Sequence, residues 1–231
     1  MLLYQPQEGY CYNSDSIFLY DFISSFAPRG RMLDVGAGCG VVGLLVARDN
    51  PKVRLEAVEK QDVFVQYASK NAEVNGIDYR VHHTDFLAFK DPEGFDYIVS
   101  NPPFYHEGAS RSENEMVHTA RYNLHLPIDA FISHAAKLLR PQGHLLLCYD
   151  PQQFAHLCAA CERAKLRVVD VQFVHSKPDR NATLVMLHAR KNSRSLMRVR
   201  PPIFAFDEDE FSAKSLQVYR DARTHSIKCT P

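Results

Sequence analysis

Asn101-Pro102-Pro103-Phe104 brings together groups that suit one kind of chemistry. Asn101 offers an amide oxygen as acceptor and an amide nitrogen as donor. The two prolines remove backbone donors and stiffen the chain. A residue before proline is pushed toward extended backbone, which restricts how Asn101 can point. The Pro102 carbonyl remains a fixed acceptor, and Phe104 adds a flat apolar face. Two convergent acceptors and an aromatic plane match a planar conjugated NH2 group, such as the exocyclic amine of adenine. That amine is a poor nucleophile because its lone pair is delocalised into the ring. Hydrogen bonds from its N–H groups to fixed acceptors favour a pyramidal nitrogen and stabilise the positive charge that develops on attack. Stacking on Phe104 would hold the base in line with an electrophile. The plainer alternative is a turn at a strand end, since Asn-Pro favours turn initiation.

A second segment, Met32-Leu-Asp-Val-Gly-Ala-Gly-Cys-Gly-Val-Val-Gly43, reads as a strand, a glycine turn and a helix start. Gly38, Gly40 and Gly43 match the G-x-G-x-x-G dinucleotide pattern, but Asp34 argues against a pyrophosphate on that helix N-terminus. A carboxylate there attracts a cationic ligand. S-adenosylmethionine carries an ammonium and a sulfonium and no phosphate, so Asp34 with the backbone N–H groups of the turn fits its amino-acid end. Glu59 closes the next strand, where a carboxylate accepts from ribose hydroxyls in nucleotide-binding sheets. Asp85 follows the third strand and is placed to accept from the adenine amine of the cofactor. For Glu59 and Asp85 the alternative is a solvated carboxylate at a strand end.

These residues need a frame that puts them side by side. Apolar runs at Arg31–Val35, Val53–Glu59, Tyr79–His83, Phe95–Ser100 and His144–Tyr149 alternate with helical patterns. The helices are expected over Ser14–Phe26, Gly40–Asp49, Gln61–Val74, Pro127–Leu139 and Pro151–Ala164. Arg167–Val174 and Thr183–Ala189 complete the set as two strands that can pair antiparallel at one edge. The pattern predicts an α/β fold: a doubly wound, mostly parallel seven-stranded sheet with an antiparallel edge hairpin. Ligands of such sheets sit beyond the carboxyl ends of the strands, where all the candidate residues fall. A single domain over 1–231 is expected. It comprises an N-terminal segment and helix (1–30), a catalytic core (31–190) and a tail (191–231), basic then acidic, packed on the core.

Composition sets the outer bounds. The 231 residues carry no net charge and are 45% apolar, which excludes a uniformly basic, nucleic-acid-coating surface but not a local patch. No apolar run is long enough for a membrane span, and no signal peptide is evident. Six scattered cysteines fit reduced thiols in a cytoplasm. Cys158-Ala-Ala-Cys161 falls in an amphipathic helical pattern with no second pair, so no metal is expected.

Taken together the segments resemble the class I S-adenosylmethionine-dependent methyltransferases with an N-P-P-[FY] motif. Within these they are most similar to the bacterial tRNA(Val) adenine-N6 methyltransferase family. The resemblance covers about residues 9–190. Asn13-Ser-Asp-Ser-Ile-Phe-Leu19 resembles a T-D-[AG]-x-L-L segment, with Ser16 where a small residue or glycine is usual, and Thr119-Ala-Arg-Tyr122 resembles an A-R-[HY] element. The resemblance implies that Asp34, Gly36, Gly38, Glu59, Asp85 and Asn101 bind S-adenosyl-L-methionine. It implies that Asn101, Pro102 and Phe104 hold the target amine, and that the partner is tRNA. Pro103, Tyr105 and Arg121, with the basic run of Lys191, Arg194 and Arg198, are the candidate RNA contacts. The alternatives are a protein-glutamine methyltransferase of the release-factor type, which uses the same acceptor pair on an amide, and an RNA guanine-N2 methyltransferase. A non-catalytic cofactor- or RNA-binding module is a third class, against which the intact Asn101–Phe104 motif argues.

Overall fold

The computed structural model describes residues 1–102 and 126–230. Pro103, Phe104, Tyr105 and Arg121 lie outside the described residues. A short strand β1 (Leu2–Pro6) precedes helix α1 (Ser14–Ser24). The core then runs β2 (Gly30–Val35), α2 (Val41–Asp49), β3 (Val53–Glu59), α3 (Asp62–Asn75), β4 (Tyr79–His83), β5 (Phe95–Ser100), α4 (Ile128–Leu138), β6 (Leu139–Tyr149), α5 (Phe154–Arg163), β7 (Leu166–His175) and β8 (Ala182–Lys191). The tail adds β9 (Arg198–Val199), β10 (Ile203–Phe204), a two-strand ribbon of β11 (Phe206–Asp207) and β12 (Glu210–Phe211), α6 (Ala213–Ala222) and β13 (His225–Cys229).

The central sheet has the order β4-β3-β2-β5-β6-β8-β7-β10, with β9 also paired to β7. Strands β2 to β6 are parallel to one another, and β8 runs antiparallel between β6 and β7. The chain is therefore the doubly wound sheet with an antiparallel edge hairpin that the sequence pattern predicts. It is extended at the far edge by two short tail segments, giving nine strands among the described residues. From β2 the chain winds out to β4, then returns to start β5 on the other side of β2. The crevice of such a sheet opens where the order reverses, between β2 and β5. Ser100 fastens that point, its hydroxyl donating to the Val35 carbonyl at 2.8 Å.

Alternate residues of each strand enter two separate cores. Met32, Val99, Leu146 and Cys148 face α1, α2 and α3. Leu33, Ile98, Leu145 and Leu147 face α4 and α5. Helix starts follow local chemistry: Asn13 caps α1 by accepting from the Asp15 N–H at 3.1 Å. Residues 140–143, between the expected helix and the expected strand at His144–Tyr149, lie within the span of β6. Its pairing jumps from Phe95↔Leu139 to Tyr97↔His144, and the four intervening residues form the irregularity, with Gln142 at φ +64°.

Strands β1 and β13 were not anticipated. They pair in parallel over five residues as a separate two-stranded sheet. Asn71, fully buried on α3, ties this sheet to the core. It accepts from the Tyr4 N–H at 2.7 Å and donates to the carbonyls of Tyr4 and Cys39.

Candidate active site

The strand register sets the predicted residues in a row. Val35 lies beside Val58 and beside Ser100, and Glu59 beside His83. The residues just after β2, β3, β4 and β5 therefore form one rim: the glycine turn, Lys60, Thr84-Asp85 and Asn101. They line an open cleft together with Tyr10, Tyr12 and Ser16.

Gly36 and Gly38 take left-handed backbone, φ +65° and +55°, and a Cβ on either would meet nothing within 4 Å. Glycine is needed there for its backbone freedom, and the bare peptides leave room for a ligand. Gly43 is needed for closeness: a Cβ would sit 2.8 Å from the Asp34 Oδ2 atom. That closeness lets the Gly43 N–H donate to Asp34 at 3.0 Å, so Asp34 caps the start of α2 from within β2. The Asp34 carboxylate lines the cleft, yet it is only 1% exposed. Burial, against the pull of the Gly43 N–H and with a further push from Glu59, raises its carboxyl to about 7.

Glu59 is 6% exposed and tightly held. One oxygen accepts from the Gly38 N–H at 2.9 Å, the other from the N–H groups of Lys60 and Gln61 at 2.8 and 2.9 Å. Three backbone donors thus fix the carboxylate at the cleft and join it to the glycine turn. Asp85 accepts from the Leu87 N–H at 2.9 Å and pairs with the Lys60 ammonium at 2.9 Å. Burial pushes its carboxyl up, but Lys60 and the Leu87 N–H outweigh it and hold it below the usual range.

Asn101 leaves β5 between two partners. Its amide nitrogen donates to the Ser16 hydroxyl on α1 at 3.2 Å, and its oxygen accepts from the Cys148 thiol on β6 at 3.0 Å. Pro102 is buried. Sequence reasoning missed Tyr10, Tyr12, Lys60 and Cys148. The only signal for the two tyrosines was an aromatic pair just before the α1 cap. Nothing in the sequence joined Cys148 to Asn101, because only the β5–β6 register, Ser100↔Leu147, brings them together.

The basic run lies elsewhere. Lys191 ends β8 beside the start of β7 and donates to the Ala136 and Leu139 carbonyls at 2.7 and 2.6 Å, closing the end of α4. Arg198 pairs with Asp170 at 2.6 Å, as does Arg200 at 3.1 Å, while Arg194 is exposed. Strand β9 is four strand spacings from β5, on the order of 20 Å. Among the described residues no group of His, Cys, Asp and Glu is arranged to hold a metal, and no helix is long and apolar enough to cross a membrane. All six cysteines are free thiols.

A sheet of this order, with a glycine turn after its first core strand and a carboxylate closing the next, is that of the Rossmann-like, S-adenosylmethionine-dependent methyltransferases. The family described as methyltransferase small domain matches residues 14–158, and the chain belongs to it. It is similar to the tRNA1(Val) (adenine(37)-N6)-methyltransferase of Yersinia pestis (strain Pestoides F), 36% identical over 135 residues, covering 56% of this chain and 54% of that protein. The Aliivibrio fischeri protein of the same name is 32% identical over 116 residues, 49% of each chain. The matched segment thus spans about half the length of these relatives. Among solved structures, a predicted O-methyltransferase from Agrobacterium tumefaciens shares the fold with a TM-score of 0.71 at 19% identity, covering 93% of this chain and 100% of that one. A T. thermophilus 16S rRNA N2 methyltransferase, solved with AdoMet and guanosine, has a TM-score of 0.56 at 26% identity over 79% of this chain and 44% of that one.

Proposed function

We propose that the protein methylates the exocyclic N6 amine of an adenine in tRNA, using S-adenosyl-L-methionine. The observation that carries this reading is the placement of Asn101 beside the glycine turn, with its carboxamide held at both ends at the mouth of the cofactor cleft. The named activity of the similar Yersinia and Aliivibrio proteins supplies the substrate class.

The cleft fits the cofactor by the chemistry of its walls. Glu59 presents a fixed carboxylate to a ribose diol, the bare Gly36–Gly38 backbone admits the amino-acid portion, and Asp34 supplies negative potential beneath it. Asp85, with Lys60, flanks the adenine end. Bound there, S-adenosyl-L-methionine supplies an electrophilic methyl group. The remaining work is done by the chain. The Asn101 oxygen and the Pro102 carbonyl accept the two N–H groups of the target amine, which localises its lone pair and stabilises the cation formed on attack. Phe104 stacks on the base and holds it in line. No general base is assigned, since a methylated ammonium gives its proton to water.

The test is to incubate the purified protein and labelled cofactor with tRNA, and separately with protein, from a strain that lacks it, and to identify the methylated nucleoside or amino acid by mass spectrometry. N6-methyladenosine is the expected product. Label in guanosine would favour the second reading, an RNA guanine-N2 methyltransferase, for which the 26% likeness to the rRNA N2 enzyme is the motive. Label only in protein glutamine would overturn the RNA reading.

A further inference from the structure

We infer that Cys148 and Ser16 are positioning residues for the Asn101 carboxamide: the Cys148 thiol selects its oxygen, and the Ser16 hydroxyl tethers its nitrogen. The inference deepens the reading of this cleft as an amine-methylating site and rests on it. A carboxamide can turn about its last bond and exchange its oxygen for its nitrogen with almost no change of shape. The two ends are opposite in chemistry: the oxygen accepts from an amine N–H, and the nitrogen would set donor against donor. An amine acceptor at this position works only when the oxygen is presented.

Two hydrogen bonds hold the carboxamide from opposite sides, and the one from Cys148 makes the choice. Cys148, on the β6 face turned toward α1, is completely buried and donates its S–H to the Asn101 oxygen at 3.0 Å. Ser16, 4% exposed in the first turns of α1, receives one Asn101 N–H on its hydroxyl at 3.2 Å. Turning the carboxamide over would put its N–H group against the thiol, a weak acceptor, while the Ser16 hydroxyl, which donates as well as accepts, could still meet the oxygen, so the choice rests on the thiol. The thiol stays protonated: burial, with some help from Asp15, pushes it well above its ordinary range. The carbonyl oxygen has two lone pairs. Cys148 takes one, and an amine-accepting role for Asn101 requires the other to meet the target N–H. Each holder sits on a different element, α1 and β6, so the Asn101 side chain, just beyond the end of β5, is fixed relative to both neighbours.

Cys148→Ala removes the donor, Cys148→Ser keeps one in nearly the same volume, and Ser16→Ala removes the acceptor. Single-turnover methyl transfer to tRNA from a strain lacking the protein, with S-adenosylhomocysteine affinity measured alongside, separates positioning from cofactor binding. The rate constant should fall about tenfold or more in Cys148→Ala with cofactor affinity unchanged. Cys148→Ser should recover most of it, and Ser16→Ala should show an intermediate loss. A parent rate in Cys148→Ala, or a loss in Cys148→Ser as large as in Cys148→Ala, would overturn the inference. If the parent itself transfers to no tRNA adenine, guanine or protein glutamine, the functional reading fails and a second measurement decides the positioning claim. In protein labelled with 15N asparagine, the Asn101 side-chain amide pair should move on either Cys148→Ala or Ser16→Ala. A pair unmoved by both would show that neither residue holds it.

Discussion

Asp34 and Glu59, two of the three carboxylates that line the cleft, differ in how the chain holds them, and the difference makes them separable by experiment. Glu59 already accepts from three backbone N–H groups, so a ligand bound there would find it already in place. Hydrogen bonds to a charged group are worth about 1.5–3 kcal/mol each. Glu59→Ala should therefore weaken S-adenosylhomocysteine binding at least about tenfold, and calorimetry showing parent affinity would remove Glu59 from the site. Asp34 acts from beneath the surface. Its folded carboxyl is raised to about 7 by burial, so in the free protein its contribution to stability is present below its unfolded value and lost as pH rises through about 7. A cationic ligand favours the ionised form. Affinity for S-adenosylhomocysteine, whose ammonium stays charged, should thus rise from pH 5.5 to 7, by up to about tenfold per unit, and level off above. Binding at pH 6 should release a proton, visible as a buffer-dependent heat. A flat profile would mean that the ammonium does not sense Asp34. That Asp34 and Glu59 belong to the cleft was legible in the sequence, because both close apolar runs. That Asp34 is buried was not, since burial depends on α2 starting close enough for Gly43 to touch it.

At the scale of elements, the strands and helices of the core were legible because each apolar run is bounded by turn residues and each has room for a covering helix. Elements in the tail were not: β9 and β10 are two residues each and take their shape from pairing with β7, not from any pattern of their own. The basic run shows the same limit. Read as a string it suggests phosphate binding, yet the Lys191 ammonium donates to the carbonyls of Ala136 in the last turn of α4 and of Leu139 just after it, the favourable place for a cation on a helix. Lys191→Met should cost on the order of 1 kcal/mol in urea unfolding and leave the salt dependence of tRNA binding as it is. Reversing Arg194 and Arg198 to Glu is the complementary test. If those side chains meet phosphates, the slope of log affinity against log salt falls by about one for each phosphate no longer neutralised. An unchanged slope assigns the run to the sheet edge alone.

The molecule as a whole closes on itself near the cleft. The chain leaves the far edge of the sheet after β10, crosses behind α1 as α6, and ends as β13 against β1. The closing hydrogen bonds are specific. The His225 N–H donates to the Met1 carbonyl at 2.8 Å, the Gln7 N–H to the Cys229 carbonyl at 3.1 Å, and the Tyr67 hydroxyl of α3 to that same carbonyl at 2.6 Å. Gln5, buried within β1, then accepts from the Tyr12 N–H at 2.8 Å. Through this chain of hydrogen bonds the last strand supports the N-terminal arm that carries Tyr10 and Tyr12 to the cleft. Removing residues 224–231 should leave the central sheet intact, because none of its strands pairs with β13. It should free the arm, and the cost of ordering several residues on binding, about 1–2 kcal/mol each, would then fall on the ligand. The truncated protein should keep its far-ultraviolet circular dichroism, unfold at a modestly lower temperature and bind S-adenosylhomocysteine at least about tenfold more weakly. Tyr12→Ala in the full chain should reproduce part of the affinity loss without the change in unfolding temperature, because it removes a cleft wall while leaving β1 and β13 paired. Full affinity in the truncated protein would show that the arm is held by Asn71 and the core alone, and that the C-terminal strand has no part in the site.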